Sequence, residues 1–318
     1  QLSDGTTYVY DFDWHPDGSR LAYTFDPKGS EGLSEDHHLG VIDLDGKSET
    51  IADGPVKYTA PRWSPDGSRL AYWRDRAEPL DVYLTVNDLW VADSDKKTAP
   101  TNLTKDFPGS PSGRFSSGAD EPPRWSPDGK WLWFVGAERS NLNIYRVAST
   151  GGGKVEAITR VEGEISRLSF DRAFRYVAFS WTDFANPADL FVSETKPQTN
   201  GSFAPRQITH ARKLVKKYGL RMPERLTWKS PDGTEVEGFL FLPRGTADGK
   251  PAPLMFDAHG GPAFRWGNAF SYRYMWHVFA DHGIGSLIFN PRGSTAYGEK
   301  FLRGNFMGFG QGDFQDLM

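Results

Sequence analysis

The chain is 318 residues long, with a formal charge of -4 and 38% apolar against 25% charged residues. That balance excludes an intrinsically disordered chain, and the slight acidic excess sets up no field that would recruit nucleic acid or an anionic membrane. No apolar run reaches the roughly 18 residues of a membrane span, and the lack of cysteine excludes disulfides, thiolate metal sites and a cysteine nucleophile.

The length allows about two domains. With 34 Gly and 22 Pro beside 45 aromatic residues (11 Trp, 12 Tyr, 22 Phe), much of the chain is expected to be β-rich and turn-rich. No signal peptide is visible, although the chain opens at Gln1 without a methionine, so an upstream segment could have been lost. The composition fits cytosol and periplasm alike; the cytoplasm is the expected compartment, with periplasm and secretion left open.

One phrase returns in chain order. It reads Trp14-His-Pro-Asp-Gly-Ser-Arg-Leu-Ala-Tyr23, then Trp63-Ser-Pro-Asp-Gly-Ser-Arg-Leu-Ala-Tyr72, then Trp125-Ser-Pro-Asp-Gly-Lys-Trp-Leu-Trp-Phe134. A degenerate fourth copy, Phe170 to Phe179, keeps the strand half and is expected to lose the turn. Pro-Asp-Gly sets a tight turn, because Pro fixes φ and Gly is free to take positive φ. The alternating apolar run after it predicts a strand. Each copy is followed by a second strand-like run (39–44, 88–92, 143–147 and 189–192) and then by short closing segments such as Asn102-Leu-Thr104, Ala157-Ile-Thr159 and Gln207-Ile-Thr209. Copies start 49, 62 and 45 residues apart, near the period of about 40–50 residues for propeller blades. The pattern predicts a partial β-propeller of about four blades over residues 1–210, against the plainer reading of four hairpins in a sandwich. An open propeller leaves raw strand edges, so further blades are expected upstream of Gln1.

Residues 211–224 turn abruptly basic and predict a solvated connector rather than a polyanion site. From 225 the pattern changes. Residues 225–243 predict a two-stranded hairpin around another Pro-Asp-Gly, followed by an apolar strand at 253–258, a helix at about 268–282 and a buried strand at 284–289. Strand, helix, strand with apolar strands at 253–289 predicts a parallel sheet covered by helices, within a second domain over 225–318.

Two motifs carry the chemistry. His259-Gly260-Gly261-Pro262 follows a strand and precedes a helix, where two glycines let backbone N–H groups approach a substrate carbonyl. The candidate catalytic residues are therefore His259, Gly260 and Gly261, as an oxyanion loop; the plainer reading is a glycine-rich turn. Asn290-Pro291-Arg292-Gly293-Ser294 ends the next strand; Arg292 there is a candidate to bind a substrate carboxylate or hold a neighbouring loop, and the plainer, preferred reading is a turn fixed by Pro and Gly with a structural ion pair. Asp313 and Asp316 predict a helix cap and a helix surface charge. No serine lies in Gly-x-Ser-x-Gly, so Ser294 lacks the context of a nucleophile. His37 and His38 are expected in a solvated loop and His277 and His282 on a helix surface. No spacing suits a metal, a nucleotide or any other cofactor, and none is expected.

Together, the Trp-Ser-Pro-Asp-Gly repeats, the connector, Trp228-Lys-Ser-Pro-Asp-Gly233, His-Gly-Gly-Pro and Asn-Pro-Arg-Gly-Ser resemble the prolyl oligopeptidase family of serine peptidases. The His-Gly-Gly-Pro form is most similar to its acylaminoacyl-peptidase and dipeptidyl-peptidase branches. This resemblance implies a propeller that filters substrates for an α/β-hydrolase domain, a short peptide as substrate, and a Ser-Asp-His triad. The oxyanion would be bound by Gly260 or Gly261 N–H and by the residue after the serine. No triad member is found among these residues. It is expected beyond Met318, so the remainder of the hydrolase domain is an expected partner, as a second polypeptide or a missing segment, and the chain alone is expected to be inactive. Homo-oligomerisation is left open; nucleic-acid and membrane partners are not expected. Two alternatives stand beside this reading, a non-catalytic propeller that binds a partner and an esterase or aminoacyl-amide hydrolase on the same scaffold.

Overall fold

Each copy of the repeat builds one four-stranded antiparallel sheet in a computed structural model that describes residues 7–27, 37–76, 85–113, 121–196, 203–244, 251–261, 263–271 and 275–318. The first sheet runs β1 (Tyr8–Trp14), β2 (Arg20–Asp26), β3 (His38–Asp43), β4 (Ser48–Ala52). The second runs β5 (Tyr58–Trp63), β6 (Arg69–Asp75), β7 (Asn87–Asp93), β8 (Thr101–Asn102). A third comprises β9 (Arg124–Trp125), β10 (Trp131–Glu138), β11 (Asn141–Ala148) and β12 (Glu156–Ala157). The fourth comprises β13 (Glu164–Phe170), β14 (Tyr176–Asp183), β15 (Asn186–Glu194) and β16 (Arg206–Gln207), and one parallel bridge, Leu142 to Glu164, joins it to the third. These are four blades of a partial propeller, as the repeat predicts.

Local chemistry explains why the phrase repeats. Gly18, Gly67 and Gly129 sit at φ 74°, 71° and 66°, where a side chain is strained. Asp66 then accepts Ser64 Oγ at 2.6 Å and Ser68 N at 3.0 Å, closing the turn on itself, and Asp128 does the same with Ser126 Oγ and Lys130 N. The fourth copy corrects the expectation that its turn is lost. Asp171 Oδ1 accepts the N–H groups of Arg175 and Tyr176, both at 2.6 Å, while Phe174 takes the glycine's place at φ 55°. Its ring stacks on Phe170 with centroids 4.1 Å apart, an aromatic pairing that offsets the cost of the left-handed backbone.

The short closing segments carry a second repeated device. Thr104 Oγ1 accepts Leu89 N at 2.8 Å and donates to Asp88 at 3.0 Å; Thr159 bridges Ile144 N and Asn143 in the same way, and Thr209 bridges Leu190 N and Asp189. Blade cores lie between neighbouring sheets. Trp73 and Leu89 of the second blade pack with Phe134 and Tyr145 of the third, and Trp133 and Ile144 of the third with Ile165 and Phe179 of the fourth. The histidine pair departs from expectation: His38 opens β3, and His37 is buried with its ring stacked on Tyr10 at 4.4 Å.

Beyond β16, the connector forms α1 (Arg212–Val215) and a short 3₁₀ turn, with the Arg212 guanidinium 4.7 Å above the Trp181 ring. The C-terminal sheet contains β17 (Glu224–Lys229), β18 (Glu235–Phe241), β19 (Leu254–Ala258) and β20 (Gly285–Asn290) in the order β17-β18-β20-β19. The strand-helix-strand part is parallel, as expected, within a mixed sheet. The Ser230–Gly233 turn is too short for a crossover and forces β17 and β18 antiparallel. β18 also runs antiparallel to β20, and only β19 and β20, joined through α2 (Trp276–Asp281), run parallel. The helix predicted over 268–282 is confined to α2; residues 263–271 are drawn out because their backbone bonds to the propeller and to Asn290, and 272–274 lie outside the described residues. α3 (Glu299–Leu302) and α4 (Gly312–Leu317) follow.

Candidate active site

β19 is the third strand of the C-terminal sheet in chain order, and His259-Gly260-Gly261 leaves its C-terminal end. That is the loop from which α/β-hydrolases draw one of their oxyanion donors. Gly261 has φ 152°, and an added Cβ would lie 3.0 Å from Ala263 N and 3.1 Å from Phe264 Cβ, so glycine is required there. Gly260 faces open space, and both glycines are exposed. Among the described residues, neither glycine donates its N–H to a protein acceptor. Pro262 lies outside the described residues.

His259 does not point into open space. Its Nε2 lies 2.8 Å from Ser294 Oγ, and the Ser294 hydroxyl donates to Pro291 O at 2.6 Å. Its Nδ1 also lies 3.2 Å from Gly260 O, so His259 ties the glycine loop to Ser294 whichever ring nitrogen carries the proton. Phe264 and Trp266 pack edge-on against the ring at 5.6 and 6.1 Å. Burial pushes the imidazole pKa down to about 4, assisted by the Arg265 charge, so the ring is neutral at physiological pH. The two motifs thus form one hydrogen-bonded unit, a pairing that their separation by 35 residues hides in the sequence.

Asn290, at the end of β20, clamps the next segment in both directions. Trp266 N donates to its Oδ1 at 2.6 Å, and its Nδ2 donates to Trp266 O at 3.0 Å and to Tyr297 Oη at 2.8 Å. Arg292 is wholly engaged, as the plainer reading holds. It donates through Nε and Nη2 to Asp316 at 2.6–3.0 Å, through Nη1 to Asp232 at 2.6 Å and through Nη2 to Ser230 Oγ at 3.1 Å. These bonds leave it no role as a substrate anchor, and Arg292 holds the Asp232 carboxyl well below the usual carboxylate range.

Several expectations for this region need correction. Asp316 is not a surface charge: it is fully buried under Arg292, because a carboxylate taking three N–H donors, one of them shared between its two oxygens, is stable inside. Asp313 does not cap α4; Gln311 holds that position and Asp313 bonds Phe314 N. His277 does not decorate a surface. Its Nε2 meets Phe184 O of the fourth blade at 2.9 Å, and Phe184 itself fills the core formed by Phe239, Phe241, Trp266, Trp276 and Ile288. Ser294 is fully buried. Among the described residues no cluster of three or more His, Asp or Glu is placed to hold a metal, and no helix is long and apolar enough to cross a membrane.

No family model matches the chain. It is 26% identical over 202 residues to an uncharacterised peptidase, YuxL, of Bacillus subtilis, covering 63% of this chain and 29% of that protein. Dipeptidyl-peptidase 5 of Arthroderma otae is 27% identical over 214 residues, covering 65% of this chain and 28% of the relative. Acylaminoacyl peptidase of Pyrococcus horikoshii superposes with a TM-score of 0.71 at 20% identity, over 96% of this chain and 44% of that one. The chain therefore spans under a third of these curated relatives and under half of the structural neighbour. Its sequence relatives are peptidases, and its fold, a partial propeller followed by a mixed sheet, is that of the prolyl oligopeptidase peptidases it resembles.

Proposed function

We propose that this chain supplies the substrate-gating propeller and the oxyanion loop of a serine peptidase that cleaves short peptides in the manner of acylaminoacyl- or dipeptidyl-peptidases. In this reading residues 1–210 are blades, 211–224 connect, and 225–318 begin the hydrolase domain. The nucleophilic serine, its acid and its histidine come from outside these 318 residues, and the chain alone is inactive. When the serine oxygen adds to the scissile carbonyl, the C=O bond opens to an alkoxide. Gly260 or Gly261 N–H then donates to that oxygen, together with the N–H of the residue after the serine. One such donor is worth about 3–4 kcal/mol of barrier. The observation that carries the reading is the pair of exposed, unengaged glycine N–H groups at the end of the third sheet strand.

The test uses the complete protein of which these residues are part, with N-acyl and free-amine dipeptidyl chromogenic amides and the matching esters. Hydrolysis of the amides is expected. Gly261→Val, which forces a Cβ against Ala263 and Phe264, is expected to lower kcat by about a hundredfold with little change in KM. No amide hydrolysis, or an unchanged kcat in the variant, would contradict the proposal; hydrolysis of esters alone would favour the esterase alternative.

A further inference from the structure

Downstream of the glycines, residues 263–270 hydrogen-bond to two bodies at once. On one side Asn290 grips the Trp266 backbone and Thr295 N donates to Phe264 O at 3.0 Å. On the other, the segment reaches the third and fourth blades. Arg265 Nη1 and Asn268 N both donate to Ser140 O, at 3.0 and 2.7 Å. Phe184 N donates to Asn268 Oδ1, and Phe270 N to Thr182 Oγ1, each at 3.1 Å.

At the centre of this junction Arg265 Nη2 donates to Glu164 Oε1 at 2.7 Å, with the two side chains 0% and 4% exposed. Glu164 is also the residue through which β13 bridges to Leu142, where the two blades meet. A second observation shows that the segment is fitted to this carboxylate. A Cβ on Gly267 would fall 1.9 Å from Glu164 Oε1 and 2.6 Å from Arg265 Nη1, so only glycine admits the close approach.

We infer that Arg265 is a positioning residue for the oxyanion loop, anchored by Glu164 of the propeller, so that the blades set the place of the Gly260 and Gly261 donors as well as screening substrates. The argument rests on the function proposed above and turns on energetics. A buried ion pair adds little net stability compared with well-packed apolar residues of the same volume. What it fixes is geometry: a planar guanidinium between Glu164 and Ser140 O leaves Arg265 one place to be. Arg265 lies only four residues from Gly261, and between them Phe264 O is held by Thr295. Movement at the seam between the third and fourth blades is therefore transmitted to the donors through a short, doubly anchored segment.

The test again uses the complete protein, with Glu164→Gln and the apolar double variant Glu164→Leu/Arg265→Met. Steady-state amide hydrolysis, thermal melting and hydrogen–deuterium exchange of residues 259–270 are measured on each. For Glu164→Gln we expect kcat to fall at least about tenfold with KM within about twofold, since the oxyanion contact is made only in the transition state. The double variant is expected to regain the wild-type melting temperature while kcat stays low, and exchange at 259–270 should speed up in both. A double variant whose kcat recovers with its melting temperature shows that the pair is merely structural and overturns the inference. So does exchange at 259–270 equal to wild type in both variants. A wild-type protein that hydrolyses no amide overturns the functional reading instead, and exchange then still decides whether Glu164 orders the loop.

Discussion

Ser-Pro-Asp-Gly occurs in the second blade and again in the C-terminal hairpin, and the same four residues are wired differently in the two places. Both turns close through the same backbone bond, Gly67 N to Ser64 O at 2.9 Å and Gly233 N to Ser230 O at 2.8 Å. In the blade, Asp66 spends its carboxylate on Ser64 and Ser68 of its own turn. In the hairpin, Asp232 keeps one local bond, to Thr234 N, and gives its other oxygen to Arg292, 60 residues away, while Ser230 Oγ also faces Arg292. The blade turns are self-contained units that a repeat can encode. The C-terminal part is held by charged and polar contacts that converge on the loops after β19 and β20.

That contrast can be broken experimentally. The largest effect is expected at Asp316, whose removal leaves Arg292 with its main partner missing: Asp316→Ala should cost about 3–5 kcal/mol in urea unfolding followed by tryptophan fluorescence. Asp66→Ala, which removes only bonds within one turn, should cost about 1 kcal/mol in the same protein. Equal costs would show that the blade turn is no more local than the hairpin.

Acid should separate the two regions as well. His259 has a folded pKa of about 4, below the ordinary imidazole value of about 6.5, so its contribution is complete above 6.5 and is lost as pH falls from 6.5 towards 4. Asp66 is held at about 2 by its serine bonds, below the ordinary value of about 3.9, and its contribution is lost between about 4 and 2. The loop around His259 should thus loosen before the blade turns do. Histidine chemical shifts followed against pH check the first claim, and a His259 midpoint near 6.5 would contradict it.

The smallest effect is expected at the irregular blade turn. Phe174→Gly relieves a left-handed non-glycine residue but loses the ring stacked on Phe170, and the terms nearly cancel, leaving stability within about 1 kcal/mol of wild type. A loss well beyond that would mean the stack with Phe170, and not Asp171, defines the turn.

These contrasts explain what the sequence made legible. Blade strands, their number and most of their turns follow from residues adjacent in the chain, so periodicity reveals them. Even the fourth turn could have been anticipated from Asp171, whose carboxylate takes the role of the Pro-Asp-Gly signal. Gly260 and Gly261 were legible as a motif, because close backbone approach demands glycine locally. The rest was not, since it depends on pairs far apart in the chain: His259 with Ser294, Asn290 with Trp266, Arg292 with Asp316, and Arg265 with Glu164. The helix expected from 268 fails for the same reason. Asn268 N and Phe270 N bond outward to the blades rather than along a helix, and nothing in their own pattern announces those partners.

The most direct test of the central claim is denaturing mass spectrometry of the complete native protein after reaction with a fluorophosphonate probe. The account predicts a single labelled serine outside residues 1–318, with the peptides containing Ser294 unmodified. Labelling at Ser294, or no labelling of a protein that cleaves no peptide, would contradict it.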